Sequence, residues 1–481
     1  MPRLSDLTLP QARPGVARPG YDRRAAEVGV VHLGPGAFHR AHQAPAFDAL
    51  LARDPRWAVA AVSLRSAAVR DALAPQDGLY TLVELGADIR VRIIGAVKEV
   101  LVAPEAPDAV LARLADVRTR MITLTVTEKG YCLAPDGRLD LAHPDVAFDQ
   151  ARPPTPRSAT GWIVEGLRRR RAAGAGGVSV LSCDNLADNS GKLRRAVAGL
   201  AQAQGDAELA AWIEGEARFP NTMVDGITPA TDDACRALAR ERTGLDDAWP
   251  VQRERFTQWV IEDSLLPGAP DLASVGAQIV ADVRPFEQAK LRLLNGAHST
   301  LAYVGLLAGR GTVAEAMGDG ALAAFVERLM RDDIAPTLAV APGLDPAAYI
   351  GQILGRFRNP AIAHRLAQIA WDGSQKLAFR LLGTIADALA AGRPVARLSV
   401  PVAAWMLFAA RTARGQGPLV DPLASAIAKI AETPEAAQPA QFLALRAVFP
   451  PDLAADPRFR DAVDIAHQAL AAGRLAEVLA R

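Results

Sequence analysis

Val28-Gly-Val-Val-His-Leu33-Gly34-Pro-Gly36-Ala37-Phe38-His39-Arg40-Ala-His42 is a short apolar run that enters a glycine turn, and residues 43–52 after it have the pattern of a helix. Strand, glycine turn, helix is the opening of a dinucleotide-binding fold: the glycines let the backbone approach a pyrophosphate, whose charge meets the amides of a helix N-terminus. The turn departs from G-x-G-x-x-G because His39 stands at the third glycine position, so on these residues alone a turn that serves only packing remains an alternative. A second apolar run, 57–64, comes where the second strand of such a unit belongs, and further strand patterns follow at 90–94, 121–127 and 177–182. Helical patterns at 106–115 and 161–171 lie between them, and alternation of this kind predicts a largely parallel sheet. The polar, proline-bearing segment 149–160 reads as a connecting loop or cap.

Beyond about residue 285 the strand signals fade, and Ala/Leu-rich periodic segments run over 287–310, 313–331, 362–391 and 403–415. The expected organisation is therefore α/β: a Rossmann-type dinucleotide-binding domain over 1–284 with a largely parallel sheet, followed by a mostly α-helical substrate-binding and catalytic domain over 285–481. Fifty per cent hydrophobic and 22% charged residues describe a soluble globular chain. A net charge of +1 without a basic block gives no reason to expect nucleic acid or an anionic membrane as partner, and points to small molecules. Cys132, Cys183 and Cys235 lack CxxC spacing, which argues against disulfides and structural zinc and for a reducing cytoplasm. No secretion signal and no apolar run of membrane-spanning length is visible.

Lys290-Leu-Arg-Leu-Leu-Asn295-Gly-Ala-His298 carries the densest chemistry. At about 100° per residue on a helix, Asn295 lies about 140° and His298 about 80° around from Lys290, so ammonium, carboxamide and imidazole share one arc. Among 54 Lys plus Arg the chain has only six lysines (98, 129, 192, 290, 376 and 429). A lysine retained in so arginine-rich a sequence suggests chemistry, because an ammonium can be tuned to release its proton and a guanidinium cannot. Alone, the pattern also fits a solvated lysine beside a packed Asn and His. At the ends of apolar runs stand Thr127-Glu128-Lys129-Gly130-Tyr131, Ser182-Cys-Asp184-Asn185 and Phe219-Pro-Asn221-Thr-Met-Val-Asp225, each equally readable as ligand contacts or as turn chemistry. After the second strand the carboxylate that usually grips the ribose of NAD is missing; Arg65 and Arg70 stand there, suited to a 2′-phosphate or simply to the surface. No Tyr-x-x-x-Lys pair, Cys/His cluster, P-loop or nucleophile elbow is present.

Taken together, the glycine turn 34–42, Thr125 to Tyr131, Ser182 to Asn185, Phe219 to Asp225 and Lys290-x4-Asn295-x2-His298 resemble the polyol-specific long-chain dehydrogenases, the mannitol dehydrogenase family, from about Val30 to the C-terminal helices. The resemblance implies metal-independent hydride transfer between a nicotinamide cofactor and a secondary alcohol, with the active site between a Rossmann-type and a helical domain. It implies Lys290 as general base, Asn185 and Asn295 as donors to the reacting oxygen, Glu287 as a proton path, and His298, Asp225 and Lys376 as binders of substrate hydroxyls. Cofactor contacts are expected at Gly34, Gly36, Ala37, Phe38, His39, Arg40, Arg65, Thr127 and Glu128, with NAD as cofactor and NADP left open.

Lys129 and the segment from Gln368 through Lys376 to Leu377 look like the branch interconverting D-mannonate and D-fructuronate, and an added cation at Lys129 suits a carboxylate-bearing substrate; Arg380 is expected as a further substrate contact. Leu64-Arg-Ser66 and Leu82-Val-Glu-Leu85 look more like the mannitol 2-dehydrogenases, the alternative reading. Gly226 and Ala378 depart from the family pattern, which usually has arginine and, in the uronate branch, proline there. A non-catalytic dinucleotide or sugar sensor is the alternative of another class, and the resemblance leans towards a monomer.

Overall fold

A computed structural model describes residues 1–362, 364–417 and 419–480. The chain divides into two compact units, Met1–Arg284 and Pro285–Arg481.

The first unit is built on five strands, β1 Val28–Leu33, β2 Ala58–Ser63, β3 Val97–Val102, β4 Met121–Leu124 and β5 Ser179–Ser182, all paired in parallel in the order β3-β2-β1-β4-β5. This is the doubly wound order, whose direction reverses beside β1. Every residue of β1, β2, β4 and β5 is buried, which is why these strands read as largely apolar runs. Val31 and Leu33 of β1 pack with Leu111, Ile163 and Val197 of the helices Pro107–Ala115, Ala159–Ala172 and Asn189–Ala203. Val30 packs with Phe47 and Leu50 of the helix Gln43–Leu51 on the other face. Each such side chain taken out of water contributes about 1.5–3 kcal/mol.

Three sequence readings are corrected. Arg90–Ile94 lies outside the parallel sheet: it pairs antiparallel with Tyr80–Leu85, which pairs parallel with Val251–Glu254. A strand with arginines at 90 and 92 cannot be buried on both faces, and its first three residues are open to solvent in part or whole. The run 121–127 stops as a strand at Leu124, because Thr125 turns its hydroxyl onto the Gly34 carbonyl (2.7 Å) and Thr127 adopts φ 65°. The segment 149–160 is only partly loop: Asp149 belongs to the helix Pro144–Ala151, and its carboxylate accepts from the amides of Arg157 (2.6 Å) and Ser158 (2.9 Å), tying down the start of the next helix. A third sheet joins Thr222–Asp225, Gln258–Glu262 and Gln278–Val280.

The second unit is helical among its described residues. The helices Ala396–Arg411, Pro457–Ala471 and Gly296–Leu307 pack together, with Trp405 against Phe442 at a ring separation of 5.2 Å. The segments 313–331 and 362–391 are not continuous helices. Asp319 breaks the first and its carboxylate caps the following helix through the amides of Ala321 and Leu322 (3.2 and 3.3 Å). The second is interrupted before Asp372, which adopts φ 54° ahead of Gly373–Leu377; Ala363 lies outside the described residues. Gly373 is fixed by packing, since a Cβ there would come within 2.3 Å of the Trp405 indole nitrogen. Four stretches among the described residues wind as π-helix and not as α-helix: Lys290–Asn295, Leu329–Ile334, Ala378–Leu382 and Thr412–Gln416.

Candidate active site

In the first unit the C-terminal ends of β1 and β4 lie side by side at the reversal point, where ligands bind in folds of this class. Gly34 leaves β1 with φ 90°, and a Cβ there would sit 2.2 Å from the Thr125 carbonyl oxygen. Only glycine satisfies both demands. Gly36 is different: the nearest atom to a Cβ there is the Gly34 oxygen at 4.0 Å, so the turn is open where a pyrophosphate would approach. Behind the turn, the His32 Nδ1 is 2.7 Å from the Thr123 hydroxyl and its Nε2 2.9 Å from the Thr125 hydroxyl. Because Thr125 itself donates to the Gly34 carbonyl, the network assigns the imidazole proton to Nε2. Burial pushes the His32 pKa down to about 3, so the ring is neutral.

His39 and Arg40, expected at the cofactor, have their side chains committed to the interior. The His39 ring is buried and stacks on His32 with centroids 3.4 Å apart. The Arg40 guanidinium donates to the Trp249 carbonyl (2.8 Å) and lies over the Trp249 ring. Phe38 stacks on His42, and Ala37 begins the short helix Ala37–Ala41. Arg65 is highly exposed and 3.3 Å from Asp145, while Arg70 pairs with Asp71 (2.7 Å) and with Glu105. Each of these arginines thus has a carboxylate of its own.

Thr127, Glu128 and Lys129 follow β4 on a single 3₁₀ turn, with Lys129 exposed. The positive φ of Thr127 is held by Asp184, whose carboxylate accepts from the amides of Val126 (3.0 Å) and Thr127 (2.9 Å) and from the Tyr131 hydroxyl (2.7 Å). Burial raises the Asp184 pKa. This clamp places exposed Asn185 beside the Thr127 turn at the same sheet edge. Asn189 and Asn221 have structural tasks: Asn189 bonds the Ser182 and Thr222 carbonyls (3.2 and 2.9 Å), and Asn221 accepts from the amides of Ser190 and Gly191 (3.0 and 3.1 Å) at the start of the helix Asn189–Ala203. Asp225 is buried at the end of its strand, and Gly226 stands where a Cβ would reach the His42 ring at 3.5 Å.

In the second unit Lys290 is buried and opens the π turn. The amide of Gly296 bonds the carbonyl of Leu291, five residues back. The α-helical arithmetic therefore fails across this turn: with the wider winding, Asn295 comes back over the face of Lys290 and does not lie 140° from it. Glu287 is partly buried in the preceding helix Arg284–Ala289. His298 is buried, with its ring 4.5 Å from Phe357 and 5.0 Å from His364, and its Nε2 has no hydrogen-bond partner among the described residues. Burial first, then the charges of His364, Arg356 and Arg380, hold the His298 pKa well below the usual imidazole value. Phe357 and His364 escaped the sequence reading because they lie far along the chain in segments that share no periodicity with 290–298.

The π turn Ala378–Leu382 brings Arg380 to the same place. Its Nη1 donates to the Ser299 hydroxyl (3.1 Å), and Gly296 lets the Arg380 backbone close in, a Cβ at Gly296 lying 2.9 Å from the Arg380 carbonyl oxygen. Lys376 donates to the carbonyls of Trp371 (2.6 Å) and Ile369 (3.4 Å), and its pKa is lowered by burial and then by Arg380. Gln368 is exposed, and Ala378 opens the π turn. Among the described residues, no group of three His, Cys, Asp or Glu could hold a metal ion, and no helix is long and apolar enough to cross a membrane.

Comparison with known proteins gives one answer along the chain. Residues 28–274 match the mannitol dehydrogenase Rossmann domain, and residues 282–471 the mannitol dehydrogenase C-terminal domain. A D-mannonate oxidoreductase of Escherichia coli is 42% identical, over 98% of each chain. The mannitol 2-dehydrogenase of Pseudomonas fluorescens, solved as a ternary complex with NAD and D-mannitol, is 36% identical with a TM-score of 0.83, over 99% of this chain and 98% of that one. A D-sorbitol dehydrogenase solved without substrate is 32% identical with a TM-score of 0.92, over 99% of this chain and 100% of that one.

Proposed function

The chain belongs to the mannitol dehydrogenase family of oxidoreductases, and from that premise we propose that it is a metal-independent, NAD-dependent dehydrogenase interconverting D-mannonate and D-fructuronate. The observation that carries the reading is the buried Lys290 on a π turn, with Asn295 brought back over it and His298 beyond. The open glycine turn at Gly36 and the strained, clamped Thr127 fit a dinucleotide laid along the ends of β1 and β4. When bound, the nicotinamide accepts or supplies the hydride.

Lys290 takes the alcohol proton during oxidation and returns it during ketone reduction, with Glu287 as its path to solvent. Asn295 and Asn185 donate to the reacting oxygen as charge grows on it, a task worth about 2.7–4 kcal/mol per donor. His298, held neutral, serves as a hydrogen-bonding group for a substrate hydroxyl and not as a cation. Asp225, Lys376, Gln368 and Lys129 complete the substrate contacts, and Gly34, Gly36, Ala37, Phe38, Thr127 and Glu128 the cofactor contacts. The pairing of Arg65 and Arg70 with carboxylates of the chain's own favours NAD over NADP. We read the protein as cytoplasmic, which three buried free thiols support, and, on the family resemblance alone, as a monomer.

NADH oxidation by chelator-treated enzyme with D-fructuronate beside D-fructose tests the substrate. Preference for fructuronate is expected; preference for fructose would make the enzyme a mannitol 2-dehydrogenase, like the Pseudomonas enzyme to which the chain is 36% identical. Lys290→Ala is expected to lower turnover by about 10²–10⁴-fold while NADH still binds. Turnover like the wild type in that variant would sink the assignment.

A further inference from the structure

Arg380 is a cation without an anion. Its neighbour Arg292 is 2.6 Å from Asp387, Arg310 is 2.9 Å from Asp319 and Arg331 is 2.9 Å from Glu327, but the hydrogen bond of Arg380 goes to the neutral Ser299 hydroxyl, and among the described residues no carboxylate lies within ion-pair distance of it. Lys376, four residues earlier, donates only to neutral carbonyls. The two cations are close enough that Arg380 disfavours the charged form of Lys376; Asp372 and Asp421 act in the opposite sense, and Asp421 is itself held by Ser374 through its amide (2.9 Å) and hydroxyl (2.5 Å). Burial weakens the charged form of Arg380 as well. Partly buried like charges that lack an ion-pair partner raise the energy of the empty site, and an incoming carboxylate relieves both the repulsion and the lost solvation.

The geometry points to Arg380 as the residue that reads a carboxylate on the substrate and so selects an aldonate or ketouronate over a neutral polyol or ketose. The inference rests on the proposed function and moves the main anion contact from Lys129 to Arg380. Lys129 is exposed, where an ion pair is screened and worth little. The Arg380 fork is held by Ser299 and by the close approach of its π turn to Gly296, and a fixed guanidinium matches both oxygens of a carboxylate at once. Both contacts lie beside His298, the hydroxyl-binding group of the proposed site.

The test is kcat/KM of the NADH-bound enzyme for D-fructuronate and D-fructose in the wild type, Arg380→Gln and Arg380→Lys. The Gln variant is expected to lose about 30-fold or more on fructuronate, the loss typical of a truncated buried charge pair, and far less on fructose. The Lys variant should recover part of that loss. Equal losses on both substrates, or a fructuronate-specific loss in Lys129→Ala that exceeds that of Arg380→Gln, would overturn the inference. Inhibition by D-gluconate, an aldonate, is measured against whichever ketone the wild type reduces. If the wild type prefers fructose but Arg380→Gln abolishes gluconate inhibition, the carboxylate reader stands and the proposed substrate falls. If the wild type prefers fructuronate and gluconate inhibits the Gln variant as before, the reverse holds.

Discussion

Gly34 and Gly36 are separated by one proline and differ in what a methyl group would do. At Gly34 a Cβ overlaps the Thr125 carbonyl at 2.2 Å and the φ of 90° disfavours any L side chain. Overpacking and left-handed strain each cost about 1–3 kcal/mol, so Gly34→Ala should destabilise the protein by roughly 2–6 kcal/mol. At Gly36 nothing lies nearer than 4.0 Å and φ is −68°, so Gly36→Ala should change stability by no more than about 0.5 kcal/mol. Its effect should fall on the cofactor, as weaker NADH binding, because the added methyl occupies the space a pyrophosphate needs. Denaturant melts and NADH fluorescence titrations of both variants separate the two effects. A Gly36→Ala protein that binds NADH as the wild type does would remove this turn from the cofactor site.

Two π turns facing one another are the feature on which the helical unit's chemistry depends, and Gly296 sits where they meet. In an ordinary helix interior Gly→Ala stabilises by about 1 kcal/mol, and at Gly351 and Gly355, where a Cβ meets nothing within 4 Å, that gain is expected. At Gly296 the built Cβ is 2.9 Å from the Arg380 carbonyl oxygen, a backbone atom that cannot rotate away. Gly296→Ala should therefore reverse the sign, costing about 1–3 kcal/mol, and should raise KM more than it lowers kcat as Arg380 is displaced. A stabilised variant with unchanged KM would show that the two turns are not in register. Neither turn was legible beforehand. The residues 290–298 have the types and spacing of an α-helix, and the extra residue per turn is dictated by packing that the local sequence does not encode. The parallel sheet was legible because burial on both faces leaves largely apolar runs such as Ala58–Ser63. The strands Thr222–Asp225 and Val251–Glu254 were not, being four residues each with polar residues inside them.

The motifs that name the chemistry were readable at the level of the whole chain, because five of them stand in order over both units; what each side chain does was less so, since His39 and Arg40 sit in the cofactor motif yet turn inward. The same burial has a consequence for acid stability. Six of the seven histidines, all but His143, have pKa values lowered chiefly by burial, with His32 at about 3 and His42 at about 4. More than about one pH unit above the unfolded value of about 6.5 these rings are neutral in folded and unfolded chains alike and do not alter stability with pH. As pH falls from 6.5 towards the folded values the unfolded chain takes up protons that the folded chain refuses, and stability is lost at up to about 1.36 kcal/mol per pH unit for each ring. For His32 alone the loss by pH 5 is about 2 kcal/mol. Asp48, Asp184 and Asp247 act with the opposite sign, because their raised pKa values make the folded chain the better proton acceptor as pH falls. A comparison of slopes cancels that background: denaturant unfolding of the wild type and His32→Gln between pH 6.5 and 5 should differ by up to one proton, with the flatter dependence in the variant. Parallel slopes would mean that His32 titrates normally in the folded protein and that the hydroxyl network behind the glycine turn does not hold it neutral.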